Sequence, residues 1–280
     1  MADWQHLDWY EEAEAYDLVF DAGTRVEADF LEAMVRRHAS LRRRAGARPI
    51  VLEPACGTGR LVVEMARRGW AVTGYDLSPA AIAYGRRRLA AEGLRATLGI
   101  GAMQSWRRAR RFDLAFNLVS TFKYLLTEED AVAHLRLVAD MLRPGGLYVL
   151  GLHLTEYDDR RVHRERWVAE RHGRRVTAVI QTSPPNRRRR TEAMRARLTV
   201  AGDGPERRFE TRWTFRTYGP RQLRSLLAAE PRFECVAVHD FRYLIDEPAA
   251  FGGDRLDHVL VLRRRGGAAA GPPRGGRAAD

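Results

Sequence analysis

Lysine is almost absent from this chain. Of 48 basic residues only Lys123 is a lysine, and the rest are arginine. Cysteine is scarce as well: Cys56 and Cys235 cannot supply a disulfide framework, so a reducing compartment, the cytoplasm, is expected. Neither thiol stands at ligand spacing from histidines, so no metal is expected. No run approaches the roughly 18 apolar residues that cross a bilayer. The first residues, Met1 to Glu14, carry acids and aromatics in place of a basic and then apolar leader, so neither a membrane span nor a signal peptide is expected. Internal repeats are lacking too. What remains is 280 residues with 45% apolar content, enough for one large domain or one domain with an insertion.

The net charge of +12 raises the question of nucleic acid. Much of the excess is local, in Arg187 to Arg190, in Arg263 to Arg265 and in the last residues. These read as a solvated loop, a strand end and a tail, so a nucleic-acid partner is not expected, although charge alone does not exclude one.

The order of segments predicts an α/β fold. Residues Trp4 to His38 are expected to form a helical cap, with Trp9, Ala13, Tyr16 and Phe20 on one face. From Arg48 short apolar strands alternate with amphipathic helices, the signature of a parallel sheet with crossovers. Strands are predicted at Ile50 to Leu52, Trp70 to Tyr75, Arg95 to Ile100, Phe112 to Asn117 and Leu147 to Leu152. Ser78-Pro79 and Thr127 with its acidic followers Glu128 to Asp130 are helix starts. The period then switches to two. Val176, Ala178 and Ile180, then Met194, Ala196, Leu198 and Val200, then Phe209, Thr211, Trp213 and Phe215 each occupy one face of a strand. The opposite face is rich in arginine. Turn signals at His172-Gly173, Ser183 to Asn186 and Gly202 to Pro205 separate these runs. A helix from Pro220 and strands at Phe233 to His239 and His258 to Leu262 complete the core. The expected organisation is a cap (1–45), a cofactor-binding core (46–155), an antiparallel insertion acting as a lid (156–216), completion of the sheet (217–265) and a disordered tail (266–280).

The chemistry is concentrated in Glu53-Pro54-Ala55-Cys56-Gly57-Thr58-Gly59-Arg60. A buried strand ends, the backbone turns through two glycines, and a helix begins whose amides favour a carboxylate. The dinucleotide pattern fails because Val62 stands where a third glycine is needed, and Glu53 would repel a diphosphate. An acid there suits a ligand with an ammonium or sulfonium group. Asp76, ending the second strand, is placed to bind two ribose hydroxyls.

Glu53-x-x-Cys56-Gly57-x-Gly59 resembles motif I of class I S-adenosylmethionine-dependent methyltransferases, and Gly74-Tyr75-Asp76-Leu77-Ser78 resembles motif II. Phe112 to Asn117 and Leu142 to Leu147 are similar to the later core motifs. The match covers about residues 48 to 154 and implies a doubly wound Rossmann-like sheet with S-adenosyl-L-methionine as cofactor. It further implies that Glu53, Ala55, Gly57 and Gly59 line the methionine end, with Asn117 nearby. Asp76 would hold the ribose and Leu77 would flank the adenine. Where many relatives have an aspartate for the adenine amine, this chain has Gly101-Ala102-Met103, which leaves backbone groups of Ala102 and Met103 for that contact. The inserted sheet resembles that of small-molecule methyltransferases, amino-sugar N-methyltransferases among them, where sheet and N-terminal helix roof the site.

Methyl transfer from a sulfonium is an in-line displacement with an already activated electrophile, so the protein aligns the acceptor and excludes water. A base is needed only when the acceptor arrives protonated. The catalytic candidates are His153, at the end of the fifth strand, and Tyr16, with Tyr10 as a further cofactor contact in the cap. The tyrosines read equally as core anchors of an amphipathic helix, and His153 as a polar packing residue. Trp167 and Trp213 are either pocket or core. The leading expectation is transfer to an N or O atom of a small molecule. A tRNA or rRNA methyltransferase is the alternative, without an Asn-Pro-Pro-Tyr-type signature at Asn117 to Ser120. A non-catalytic cofactor-binding subunit is a third reading.

Overall fold

The computed structural model describes residues 4–41, 46–202 and 204–266. The expected tail therefore lies outside the described residues except for Gly266. The N-terminal segment is not one helix. It holds a short strand β1 (Gln5–His6), helix α1 (Ala13–Phe20), a single 3-10 turn at Asp21–Gly23 and helix α2 (Thr24–His38). Local helix propensity loses here to an open sheet edge: Gln5 and His6 pair in parallel with Phe209 and Glu210, and the Leu7 amide donates to the Glu210 carbonyl at 3.2 Å. The Asp8 carboxylate then accepts from the Tyr10 amide at 3.0 Å, fixing a turn where a helix was expected.

The core follows in the order β2 (Ile50–Pro54), α3 (Arg60–Arg67), β3 (Ala71–Asp76), α4 (Pro79–Ala91), β4 (Thr97–Ile100), β5 (Phe112–Asn117), α5 (Glu128–Met141) and β6 (Leu142–His153). The helix starts form as their sequences dictate. Ser78 Oγ accepts from the Ala81 amide at 3.2 Å, and Thr127 Oγ1 accepts from the Asp130 amide at 3.0 Å. After the insertion, α6 (Pro220–Ala228), β11 (Phe233–His239) and β12 (Asp257–Arg264) finish the sheet, whose strand order is β11-β12-β6-β5-β2-β3-β4. Only β12 runs against its neighbours, pairing antiparallel with both β6 and β11. Helices cover both faces. Phe30, Leu31 and Met34 of α2 pack with Leu61, Val62 and Val63 of α3 on one side, and Leu135, Val138 and Leu223 of α5 and α6 fill the other. The architecture is the doubly wound one.

The insertion holds β7 (His163–Arg171), β8 (Arg174–Thr182), β9 (Thr191–Gly202) and β10 (Gly204–Arg216), which form an antiparallel meander with β1 on its far edge. The three alternating runs read from the sequence are β8, β9 and β10. Strand β7 is an added edge, and its pattern is weak because most of its side chains are exposed. The apolar face packs on the cap: Val176, Ala178, Ala196, Leu198 and Phe209 meet Trp9, Ala15, Leu18 and Val19. The opposite face gathers arginines round one acid. Glu210 lies 2.7 Å from both Arg197 and Arg212, and hydrogen bonds from them hold its carboxyl down at about 2.

Cap and insertion form a roof that meets the core through buried polar pairs. Asp17 on α1 accepts from Thr58 Oγ1 at 2.9 Å and pairs with Arg88 of α4. Lys123, in the 3-10 turn Thr121–Tyr124 after β5, reaches Glu192 of β9 at 2.6 Å. Lys123 is 1% exposed and Glu192 8%, so each charge depends on the other. Lys123→Met should therefore destabilise the protein by about 3–5 kcal/mol, since it strands a buried carboxylate. Lys123→Met with Glu192→Leu should recover most of that loss. Urea unfolding of the four proteins of the cycle measures both.

Candidate active site

Strand β2 ends at Pro54, and the chain then turns with Ala55, Gly57 and Gly59 all at positive φ, 49°, 53° and 76°. That curvature brings the Gly57 amide against Asp76, whose Oδ2 accepts from it at 2.8 Å while Oδ1 accepts from the Ser78 amide at 2.8 Å. One carboxylate thus ties the first crossover turn to the second. A carboxylate has about four lone-pair sites, so acceptor capacity remains for hydroxyl groups. Burial pushes the Asp76 carboxyl up, and its backbone hydrogen bonds oppose that shift.

Above the turn lies a cavity of about 680 Å³ with three walls. The core supplies Glu53 to Thr58, Arg60 and Leu61, with Asn117 to Thr121 and His153 to Glu156. The cap supplies Trp9, Tyr10, Tyr16 and Phe20. The inserted sheet supplies Trp167, Ile180, Met194, Trp213 and Phe215. The two tyrosine rings stand over the glycine turn, each 3.9 Å from the place a Cβ on Gly57 would occupy. Trp9 joins cap to insertion, with its ring 4.7 Å from that of Trp213 and 5.1 Å from that of Tyr16. The Tyr10 hydroxyl lies 3.4 Å from that of Tyr124. Burial raises the ionisation of both Tyr10 and Tyr16 far above the phenol range, so each is a neutral ring and hydroxyl in this wall. A neutral phenol donates a hydrogen bond or excludes water, and it does not act as a base.

The expected cofactor residues divide into two groups. Glu53, Ala55, Gly57, Asn117 and Tyr10 border the cavity, as do both catalytic candidates, Tyr16 and His153. Glu53 is 8% exposed and its Oε2 has no hydrogen-bond partner among the described residues. Burial raises its carboxyl well above the usual range, with Arg60 opposing. A carboxyl with one oxygen unpartnered in the wall fits an ammonium group, which would restore the charged form. Asn117 is held structurally: its Nδ2 donates to the Pro54 carbonyl at 2.7 Å and its Oδ1 accepts from the Tyr148 hydroxyl at 2.7 Å. It fixes the end of β2 more than it reaches inward.

Gly59, Asp76, Leu77, Ala102 and Met103 lie outside the walls of this cavity. Gly59 packs below the turn, where a Cβ would stand 3.9 Å from Gly85 of α4. Asp76 sits beneath Gly57. Leu77 is 70% exposed beyond it. The carbonyls of Ala102 and Met103 are engaged: Ala102 accepts from the Trp106 amide at 2.9 Å, and Met103 accepts from His134 Nδ1 at 3.0 Å. Burial lowers His134 to about 4, so this ring is neutral. The Ala102 carbonyl also accepts from the Ser105 amide at 3.2 Å, whereas the Met103 carbonyl keeps a second lone pair.

Sequence reasoning missed Lys123, Tyr124, Glu192 and Asp257, all in the cavity wall. They reach it from separate elements at no recurring spacing. For the turn itself two substitutions are informative. Gly57→Val puts a branched side chain at positive φ under the two tyrosines. Asp76→Ala removes a charged acceptor, at roughly 1.5–3 kcal/mol per hydrogen bond lost. Calorimetry with S-adenosylhomocysteine should show at least tenfold weaker binding by both proteins, with native circular dichroism retained.

Residues 51–146 match the family model described as a methyltransferase domain. A dTDP-3-amino-3,4,6-trideoxy-α-D-glucopyranose N,N-dimethyltransferase of Streptomyces venezuelae is 32% identical over 100 residues, covering 36% of this chain and 40% of that protein. The chain spans only 40% to 51% of the length of the curated relatives it matches. Two solved structures extend the likeness to the whole fold. An S-adenosylmethionine-dependent methyltransferase of Clostridium acetobutylicum superposes at a TM-score of 0.73 with 16% identity, covering 92% of this chain and 99% of that one. A sugar N-methyltransferase of Streptoalloteichus does so at 0.68 with 21% identity, covering 95% and 96%. Cap, core and inserted sheet together share the fold of these two solved structures, and residues 51–146 match the methyltransferase-domain model.

Proposed function

We propose that the protein transfers a methyl group from S-adenosyl-L-methionine to a nitrogen atom of a small-molecule acceptor. The observation that carries this reading is the roofed cavity that begins at Glu53 and the glycine turn and ends among the aromatics of the inserted sheet. Bound at the turn, the cofactor supplies a methyl group on a positively charged sulfur. The chain's own residues do the rest. Glu53 would hold the ammonium, the amides at the start of α3 the carboxylate, and Asp76 the ribose hydroxyls. Tyr10 and Tyr16, whose rings stand over the glycine turn, would keep water out. Trp213 and Phe215 bound the acceptor space, where alignment lowers the barrier.

Two named relatives support a nitrogen acceptor, the sugar dimethyltransferase and the sugar N-methyltransferase. The cavity size suits a metabolite rather than a nucleic acid. Two of the four arginines of the loop 187–190 are engaged in ion pairs, Arg187 with Asp158 and Arg190 with Glu128. No helix among the described residues is long and apolar enough to cross a membrane. With Cys56 and Cys235 both unpaired, a cytoplasmic setting fits this reading.

The test is transfer of labelled methyl from S-adenosylmethionine into fractionated cell extract, and into dTDP-3-amino-3,4,6-trideoxy-α-D-glucopyranose as a trial acceptor. Label is expected in the small-metabolite fraction, and changing Arg187, Arg188 and Arg189 to serine should leave it. Label confined to RNA and lost with those arginines would reverse the assignment. Bound cofactor with no transfer to any fraction would favour a non-catalytic subunit. A second check is thermal. S-adenosylhomocysteine at a hundred times its dissociation constant should add about 2.7 kcal/mol of stability, with no effect from NAD.

A further inference from the structure

His153 and Asp257 face each other across the β6–β12 ladder, as register partners on adjacent strands. Their side chains meet: Nδ1 of His153 lies 2.6 Å from Oδ1 of Asp257. A carboxylate can only accept at that contact, so Nδ1 carries a proton, and in the neutral ring Nε2 keeps its lone pair. Nε2 has no partner among the described residues, and both side chains are half-exposed in the cavity wall.

The backbone of His153 is also held from two sides. Its amide donates to Ser120 Oγ at 2.9 Å, and its carbonyl accepts from Lys123 Nζ at 3.3 Å. Ser120 and Val119 sit at φ 64° and 55°, uncommon for residues with side chains, so this loop is shaped to reach the end of β6. Glu156 lies in the same wall, where its charge is felt by Arg161, another residue of that wall.

From this arrangement we infer that His153 is the base for the acceptor, that Asp257 is its positioning residue, and that the acceptor enters as a protonated amine. This rests on the methyl-transfer reading above. An aliphatic amine is mostly protonated at neutral pH, so the ammonium form is the one that arrives. One N–H proton passes to Nε2, giving an imidazolium that Asp257 stabilises, and the electron pair stays on nitrogen. That pair then forms the bond to the methyl carbon as the carbon–sulfur pair returns to sulfur. The imidazolium later gives its proton to solvent.

The test combines a spectroscopic readout with turnover. In protein labelled with nitrogen-15 in the histidine rings, long-range proton–nitrogen spectra report each tautomer. Wild-type His153 should be in the Nδ1–H form, and Asp257→Asn should shift it towards Nε2–H. Transfer to the trial amino sugar, or to the small-metabolite fraction of extract, should fall about 10²- to 10⁴-fold in His153→Gln and Asp257→Asn. Affinity for S-adenosylhomocysteine should stay within about twofold, since neither residue touches the turn; RT ln 2 is about 0.4 kcal/mol. A wild-type ring in the Nε2–H form, or unchanged transfer by both variants, would overturn the assignment while leaving cofactor binding intact. Failure of the wild type to bind the cofactor, or to transfer at all, would instead remove the reading on which the base depends.

Discussion

The structure depends on keeping a space open between two layers that must also stay joined. Two facing apolar surfaces would collapse on one another, since burial rewards every contact. Here the seam between roof and core is charged at its anchor points. Lys123 is fixed to Glu192, Asp17 to Thr58 and Arg88, and Glu128 to Arg190 and Arg216. Such pairs add little net stability once desolvation is counted, but they have direction and length. They set the height of the roof, and the aromatic cluster of Trp9, Tyr16, Phe20 and Trp213 fills the part of the seam that is dry.

The second tie lies inside the core. Asp76 holds the Gly57 amide and the Ser78 amide together, so the two turns that face the cavity move as one. Asp17 on α1 then links that unit to the cap through Thr58, the residue between the glycines. Burial raises the Asp17 carboxyl and Arg88 opposes the shift. The cap, the turn and α4 are thus one polar network beneath an apolar lid.

Much of this was legible in the sequence, and the limits are physical. The core strands show as apolar runs because both faces of a parallel sheet are buried, and the helix starts at Ser78 and Thr127 are written in side chains that cap their own amides. Strands β8, β9 and β10 show as alternation because one face is wet. The segment 4–12 misled, because its strand exists only as a partner for the edge of β10, 204 residues away at the Leu7–Thr211 contact. Strand β7 was faint because an exposed edge carries charge at every second position and more. Glu53 and the glycine turn could be placed from local order alone. Asp257 could not: it meets His153 from 104 residues away, and no spacing records that. The adenine end stayed open because backbone groups leave no residue-type signature. The arginine excess also reads differently once the partners are known. Arg195, Arg197 and Arg212 converge on the one buried acid Glu210.

The scarcity of lysine gives the roof its own reporter. Lys123 is the only side-chain amine in these 280 residues, and it is enclosed where insertion and core meet. An amine-directed reagent can acylate that nitrogen only while β9 has lifted from the turn after β5 and Glu192 has released it. Its labelling rate is therefore a clock for breathing of the roof over the cavity, readable by mass on the unmodified sequence, with no engineered probe to disturb the motion being timed.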